Sequence, residues 1–386
     1  MRYARRVERL QPYPFARMAE IIAALKARGV DVIRMDIGSP DMPPAEHILR
    51  AAERTLRDPG SHGYPAFGYG PPSLLEAAAL YYRARFGVDL DPQHETTALI
   101  GSKEGIFHLS QAVLEPGDVA LVPDPGYPVY RVAAEWAGAE VRTLPLRKEN
   151  GFLPDLASVP AETLRRARIL WINYPNNPTG AVAPRGFYER ALDLARTNDI
   201  LLCHDAAYCD VAFDGYRPMS ILELADSRSA AVEFTSVSKT YNMAGWRLGF
   251  LSGNTEAISS VRNVKSNIDS GIFPAVTAAG EAALRGDQSW IVGRNAAYAE
   301  RRDRIVEGLA AAGISVDPPR GSLYVWASVP PGRTAGAFAA SLLEQTGVCV
   351  APGTFFGAEG EGYIRLSVAT PTARVEEAMI RLAGWK

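Results

Sequence analysis

Two hydroxyls, a lysine and an arginine stand at fixed spacing in the run Ser236-Val237-Ser238-Lys239-Thr240-Tyr241-Asn242-Met243-Ala244-Gly245-Trp246-Arg247-Leu248-Gly249. Lys239 is one of only six lysines in the chain, and its neighbours are largely apolar rather than charged. A lysine that sheds its proton there can hold an aldehyde covalently as a Schiff base and, once released, act as a base. Arg247, eight positions on, offers a planar fork of donors suited to a phosphate. Ser102 and Lys103 follow a strand pattern and open a helical one, where free backbone N–H groups and the helix dipole favour an anion. Upstream of the lysine lie Pro175-Asn176-Asn177-Pro178-Thr179-Gly180 and Asp205-Ala206-Ala207-Tyr208. A carboxylate such as Asp205 beside a basic ring nitrogen keeps that nitrogen protonated, so the ring can take up electrons when a Cα–H bond breaks. Tyr208 and Asn177 can donate to a phenolic oxygen. Together the residues ask for an aldehyde with a phosphate at one end, a basic ring nitrogen at the other and a phenolic oxygen between.

Pyridoxal 5'-phosphate has those three handles. The chain resembles the fold-type I pyridoxal phosphate aminotransferases of class I/II over nearly its whole length, from about Pro40 onward. Within that family it looks most like the LL-diaminopimelate aminotransferases, through Gly101-Ser102-Lys103-Glu104-Gly105, Pro123-Asp124-Pro125-Gly126-Tyr127-Pro128-Val129-Tyr130 and Asn267-Ile268-Asp269-Ser270-Gly271-Ile272-Phe273. The resemblance implies that Ser102, Ser236, Ser238 and Arg247 form a phosphate cup with backbone from Lys103, and that Tyr127 stacks over the ring. It implies that Tyr64, six residues before Gly70, reaches the phosphate of a partner subunit, so that a homodimer shares its sites. Arg365, in Tyr363-Ile364-Arg365-Leu366-Ser367, matches the family's clamp on the substrate α-carboxylate, with Gly38, Asn177 and Tyr13 beside it. Taken singly, each serine reads as a helix cap, Asp205 as a loop acid, Asn177 as a turn residue, Tyr127 as a core ring and Arg365 as half of an ion pair. Their joint occurrence favours the cofactor reading.

The expected reaction moves an α-amino group from an amino acid to a 2-oxo acid in two half-reactions, with ping-pong kinetics. By resemblance the donor is LL-2,6-diaminopimelate and the acceptor 2-oxoglutarate; aspartate, alanine, glutamate and N-succinyl-diaminopimelate stay open as donors. Tyr13, Phe15, Lys103, Asn267 and Tyr324 are candidates to read the far end of the substrate. Two other readings remain. One is β-elimination by a C–S lyase on the same scaffold. The other is a ligand-sensing domain of a transcription regulator, which would need a basic helix-turn-helix ahead of the fold, where only ~40 residues with prolines among them stand.

Composition narrows the field. The chain has 386 residues, 47% of them apolar, enough for two cores, with 41 basic against 43 acidic side chains and so no field to draw nucleic acid or an anionic membrane. Cys203, Cys209 and Cys349 are odd in number, lack metal-ligand spacing and read as buried free thiols, and no metal is expected. No apolar run reaches the roughly 18 residues of a membrane span, and no signal core stands at the N-terminus, so a cytoplasmic protein is expected. Neither Gly-x-Gly-x-x-Gly after a strand nor Gly-x-x-x-x-Gly-Lys-Ser/Thr occurs. Arg2, Arg5, Arg6 and Arg9 recur at helical spacing, but Pro12-Tyr13-Pro14 breaks the pattern; an arm packed on a neighbouring subunit is expected.

The elements that must position these residues follow from hydropathy. Short apolar runs at Thr97–Gly101, Val119–Pro123, Val141–Leu144, Ile169–Ile172, Ile200–His204, Ala231–Phe234 and Leu248–Ser252 alternate with amphipathic segments such as Glu104–Leu114 and Gly186–Thr197. That alternation predicts an α/β domain with a mainly parallel seven-stranded sheet, and ligands gather at the carboxyl ends of such strands. After about Pro274 a long helix over Ala275–Leu309 and short strands at Leu323–Trp326 and Tyr363–Leu366 predict a smaller α+β domain. The resemblance implies that the N-terminal ~45 residues complete the smaller domain, so the expected division is 1–45 (arm and part of the small domain), 46–280 (large cofactor domain) and 281–386 (small domain).

Overall fold

The computed structural model describes residues 3–8, 10 and 13–385; Arg2, Arg9 and Pro12 of the N-terminal run lie outside the described residues. Among the described residues no helix is long and apolar enough to cross a membrane. In chain order the strands are β1 (Ile33–Arg34), β2 (Thr96–Leu99), β3 (Val119–Asp124), β4 (Glu140–Pro145), β5 (Ala167–Ile172), β6 (Leu201–Asp205), β7 (Ala231–Ser236), β8 (Gly249–Gly253), β9 (Tyr324–Ser328), β10 (Val348–Cys349), β11 (Ala351–Pro352) and β12 (Tyr363–Ser367).

Seven of them form one sheet in the order β2-β8-β7-β6-β5-β3-β4. β3, β4, β5, β6 and β7 run parallel, while β8 is antiparallel to both of its neighbours. Successive side chains on a strand face opposite ways, and both faces here are covered. Leu121, Leu170 and Leu202 pack with helices Pro72–Phe86 and Arg185–Thr197. Ala120, Trp171, Cys203 and Phe234 pack on the other side with helices Ser102–Val113, Val129–Ala137 and Thr255–Ser266. Each fully buried Leu, Ile or Phe side chain contributes about 1.5–3 kcal/mol. A one-residue slip of any central strand would exchange its two sets of packed side chains, so register is firmly set. All three cysteines are buried and free, as their odd number and lack of metal-ligand spacing suggested.

A second body of structure gathers the chain's two ends. β11, β12 and β9 make an antiparallel sheet, and β1 pairs in parallel with β10, which joins Ile33 to Val348. Ile33 and Met35 share one core with Leu309, Val325, Phe338, Leu366 and Leu382.

The helix expected over Ala275–Leu309 is two helices, Pro274–Arg285 and Trp290–Ala311. Gly286 is extended (ψ −175°) with its N–H still bonded to the Ala282 carbonyl, and the Asp287 carboxylate then takes the N–H and hydroxyl of Ser289. Those local bonds compete with the helical ladder. A Cβ at position 286 would also lie 2.6 Å from the Ala282 carbonyl oxygen.

Candidate active site

The carboxyl ends of β6 and β7 open into a cavity of about 390 Å³. β7 ends at Ser236, whose hydroxyl accepts the Ser238 N–H at 3.2 Å and caps a four-residue helix, Val237–Thr240. That cap turns Lys239 into the cavity, where its Nζ donates to the Gly38 carbonyl at 2.6 Å. Burial lowers the Lys239 pKa to about 8, the charges of Arg365 and Arg247 push the same way, and Asp205 opposes them. A free amine is therefore within reach near neutral pH.

Asp205 ends β6 and is buried, with one carboxylate oxygen accepting from the Tyr130 hydroxyl at 2.7 Å and the other from the Ala207 N–H at 3.3 Å. Burial raises its pKa, and the Tyr130 and Ala207 hydrogen bonds followed by the charges of His204 and Lys239 counter that rise. Tyr130 is fixed by stacking on Trp171, with ring centres 4.8 Å apart and planes 14° apart, an arrangement worth about 0.5–1.5 kcal/mol beyond burial. Tyr127 meets Tyr130 edge-on at 5.8 Å and faces the same cavity; burial pushes its hydroxyl pKa up.

A cluster of hydrogen-bond donors lies where the ends of β2 and β8 adjoin. Ser102 is the first residue of helix Ser102–Val113, and Gly101 before it has φ +73°. A Cβ at Gly101 would collide with the Arg247 guanidinium, so only glycine lets that cation lie against the helix N-terminus. Arg247 itself is left-handed (φ +56°) and donates to the Ala244 carbonyl at 3.0 Å. Gly249 leaves similar room, since a Cβ there would sit 3.0 Å from the Ser102 backbone nitrogen. Ser102, Ser236, Ser238 and Arg247 all line the cavity. The Lys103 side chain turns aside instead, its Nζ 4.7 Å from the centre of the Tyr13 ring, and burial lowers its pKa.

Arg365 projects from β12 as a second, buried cation. Its Nη1 donates to Asn177 Oδ1 at 2.8 Å and its Nη2 to the Asp36 carbonyl at 2.5 Å, while its buried Nε has no partner among the described residues. Its guanidinium lies 3.9 Å from the Tyr324 ring centre and 4.4 Å from that of Phe356. The Asn177 N–H is held by Asn173 Oδ1 at 2.8 Å, and Asn173 Nδ2 donates to the Asp205 carbonyl at 2.6 Å. Tyr208 and Tyr324 share a 2.9 Å hydroxyl–hydroxyl bond, and Gly38 passes so close to Tyr324 that a Cβ could not fit. Tyr13 closes part of the cavity, and burial raises its hydroxyl pKa.

Thus Lys239, Asp205, Tyr208, Ser102, Lys103, Tyr127, Asn177, Ser236, Ser238, Arg247, Gly38, Arg365 and Tyr13 border one cavity. Tyr64 does not; it is 91% exposed. Of the candidates for the far end of a substrate, Phe15 and Tyr324 join Tyr13 and Lys103 in the lining, whereas Asn267 lies on the surface and bonds back to the Asn263 carbonyl at 2.9 Å, because it ends helix Thr255–Ser266. Reasoning from sequence did not single out Tyr130, Asn173 or Phe356. The first two bond to Asp205 or Asn177, Tyr130 from behind the lining and Asn173 from within it; of the three only Tyr130 lies in a segment that carries the family resemblance, Pro123 to Tyr130.

The cavity fits pyridoxal phosphate on its own chemistry: a low-pKa lysine, a buried carboxylate, and a helix N-terminus with three hydroxyls and a guanidinium for an anion. Comparison with known proteins agrees. The family model for aminotransferase class I and II matches residues 30–382. The chain is 52% identical over 381 residues to an LL-diaminopimelate aminotransferase of Desulforudis audaxviator, covering 99% of this chain and 97% of that protein. It is 49% identical over 386 residues to one of Dehalococcoides mccartyi, covering 100% and 99%. Among solved structures, substrate-bound BacF from Bacillus subtilis superposes with a TM-score of 0.96 at 35% identity, covering 100% of this chain and 98% of that one. A probable N-succinyldiaminopimelate aminotransferase of Thermus thermophilus superposes with a TM-score of 0.90 at 40% identity, covering 96% and 99%.

Proposed function

The chain belongs to the class I and II aminotransferases, pyridoxal phosphate enzymes acting on an amino acid and a 2-oxo acid, and from that premise we propose that it transfers an amino group from LL-2,6-diaminopimelate to 2-oxoglutarate. The observation that carries the choice of donor is the 52% identity to a diaminopimelate aminotransferase along nearly the full length of both chains.

The cofactor, when bound, supplies the aldehyde that takes up the substrate amino group and a ring that accepts the electron pair freed at Cα. In the proposed roles Lys239 would hold that aldehyde and, once freed by the substrate amine, would carry the proton away from Cα. Its lowered pKa supports this, since an ammonium could not accept a proton. Asp205 would pair with the ring nitrogen, and the Tyr130 hydroxyl orients its carboxylate. Tyr208 and Asn177 would donate to the phenolic oxygen, and Tyr127 would cover the ring. Ser102, Ser236, Ser238, Arg247 and the Lys103 backbone N–H bind the phosphate. Arg365 takes the substrate α-carboxylate; its Nε, without a partner among the described residues, and its stacking on Tyr324 and Phe356 support a guanidinium held ready for a planar anion. Gly38 and Tyr13 bound the substrate on the opposite side.

The same reading makes the active form a homodimer in which Tyr64 completes the neighbour's phosphate site. Its 91% exposure, beside the exposed rings of Phe67 and Phe273 and exposed Ile268, supports that. We also read the chain as a large domain over 46–280 and a small one formed by 1–45 and 281–386, and the β1–β10 pairing supports the joining of the two ends. A donor screen with 2-oxoglutarate tests the substrate. LL-Diaminopimelate should give the highest kcat/KM; a value about tenfold higher for aspartate, alanine or N-succinyl-diaminopimelate would overturn the choice. Pyruvate release from cysteine conjugates without a 2-oxo acid would point to β-elimination instead.

A further inference from the structure

The turn that carries Lys239 does not hold itself. In helix Val237–Thr240 the Tyr241 N–H bonds to the Val237 carbonyl at 3.0 Å, and the carbonyls of Lys239 and Thr240 are left over, as the last carbonyls of any helix are. They are taken by one side chain from the far side of the turn, Arg294 in helix Trp290–Ala311. Arg294 is 3% exposed and forms no ion pair among the described residues. Its Nη1 donates to the Lys239 carbonyl at 2.8 Å and to the Thr240 carbonyl. Its Nη2 donates to the Asp210 carbonyl at 2.7 Å and to Asn295 Oδ1 at 2.8 Å, and Asn295 Nδ2 returns to the Asp210 carbonyl at 2.9 Å. Asp210 lies two residues past Tyr208 in the segment that begins at Asp205. Its carboxylate, anchored by Tyr81 at 2.6 Å and Arg85 at 2.8 Å, also accepts from the Thr240 hydroxyl at 3.1 Å.

A buried guanidinium bonded directly only to neutral acceptors costs desolvation that lowers its pKa and that the nearby Asp210 carboxylate offsets only in part, and a hydrophobic side chain would fill the same volume without that cost. What Arg294 provides in return is geometry. One rigid fork bonds both to the segment bearing the reacting amine and to the segment bearing Asp205 and Tyr208, and the rings of Trp290 and Tyr298, 5.8 and 5.9 Å away, limit its freedom. We propose that Arg294 is a positioning residue that sets Lys239 in register with Asp205 and Tyr208, an inference that rests on the assignment of Lys239 as the reacting amine. It touches neither substrate nor cofactor and acts only through the two backbone segments.

The test compares native enzyme with Arg294→Ala and Arg294→Lys, each saturated with cofactor, using the best amino donor of the screen above. A misplacement of about 1 Å costs about a hundredfold in rate, so kcat should fall by about that factor in the alanine variant with KM nearly unchanged. The lysine variant keeps the charge but not the fork, and should still lose about tenfold. Added guanidinium ion should restore part of kcat in the alanine variant. Hydrogen exchange, measured with and without cofactor, should quicken at residues 210–212 and 237–242 while β3 stays protected. Folded variants with native kcat, or unchanged exchange in both segments, would overturn the inference. Should the alanine variant not fold, native kcat in the lysine variant overturns it by itself. Borohydride labelling of native enzyme separates the two assignments: no label on Lys239 removes the parent reading, whereas label on Lys239 with native kcat in the variants removes only the role of Arg294.

Discussion

Replacing Arg365 gives the sharpest account of substrate binding. The guanidinium uses Nη1 on Asn177 and Nη2 on the Asp36 carbonyl, and leaves a buried Nε without a partner among the described residues. A carboxylate that meets this fork takes two charge-assisted N–H bonds, each worth about 1.5–3 kcal/mol. Arg365→Met removes both, about 3–6 kcal/mol in all, and at about 1.4 kcal/mol per decade kcat/KM should fall by about 10²–10⁴. Arg365→Lys keeps the charge without the fork, forfeits one bond, and should lose about 10–100-fold. Because amino acid and oxo acid carry the same carboxylate, both half-reactions should suffer alike, and steady-state kinetics with each substrate varied reads this directly. A second readout needs no substrate. Arg365 is the largest charge effect holding the Lys239 pKa down to about 8, so the methionine variant should raise it, seen as a shift to higher pH in amine labelling of cofactor-free protein. Thermal melts separate out any folding loss, since the variant leaves Asn177 Oδ1 and the Asp36 carbonyl unsatisfied. A methionine variant within about threefold of native kcat/KM, with no shift in labelling, would refute the assignment.

Other outcomes follow from the same geometry. Asp205→Asn keeps the shape that Tyr130 bonds but removes the charge opposite the ring nitrogen, so kcat should fall by about 10²–10³ in single-turnover assays while cofactor can still bind. Gly101→Ala drives a methyl into the Arg247 guanidinium at a φ of +73°; the strain of about 1–3 kcal/mol should lower Tm, and cofactor affinity measured by titration should drop with it. In cofactor-free protein, labelling of Lys239 by an amine reagent should rise through about pH 8, below the ordinary lysine range, because burial disfavours the charged form. A midpoint near that of surface lysines would contradict the electrostatics described for the cavity.

The parallel strands were legible because burial on both faces leaves a continuous apolar run, as in Ile200-Leu201-Leu202-Cys203. Asp205 and Lys239 could therefore be expected just past the carboxyl ends of two such strands; that these strands, β6 and β7, are neighbours comes from the structure. Direction was less visible: the antiparallel course of β8 depends on how the Lys239 turn re-enters the sheet, which hydropathy does not report. The break between Pro274–Arg285 and Trp290–Ala311 was hidden for a related reason, since it is made by hydrogen bonds of Asp287 and an extended Gly286 within a pattern whose apolar period continues. Arg365 meets Asn177 across 188 residues of chain, and Arg294 meets the Asp210 carbonyl across 84. Motif resemblance found the first pair. Nothing in the sequence marks the second, because its acceptors are backbone atoms.

In the proposed function a single amine, that of Lys239, carries the cofactor. Borohydride reduction of cofactor-loaded native enzyme, followed by digestion and mass mapping, tests it most directly. The expected result is a stable pyridoxyl adduct on the peptide containing Lys239 and nowhere else, with activity lost in proportion. Adduct on Lys103 or Lys265 instead, or none on any lysine of a fully active enzyme, would contradict it.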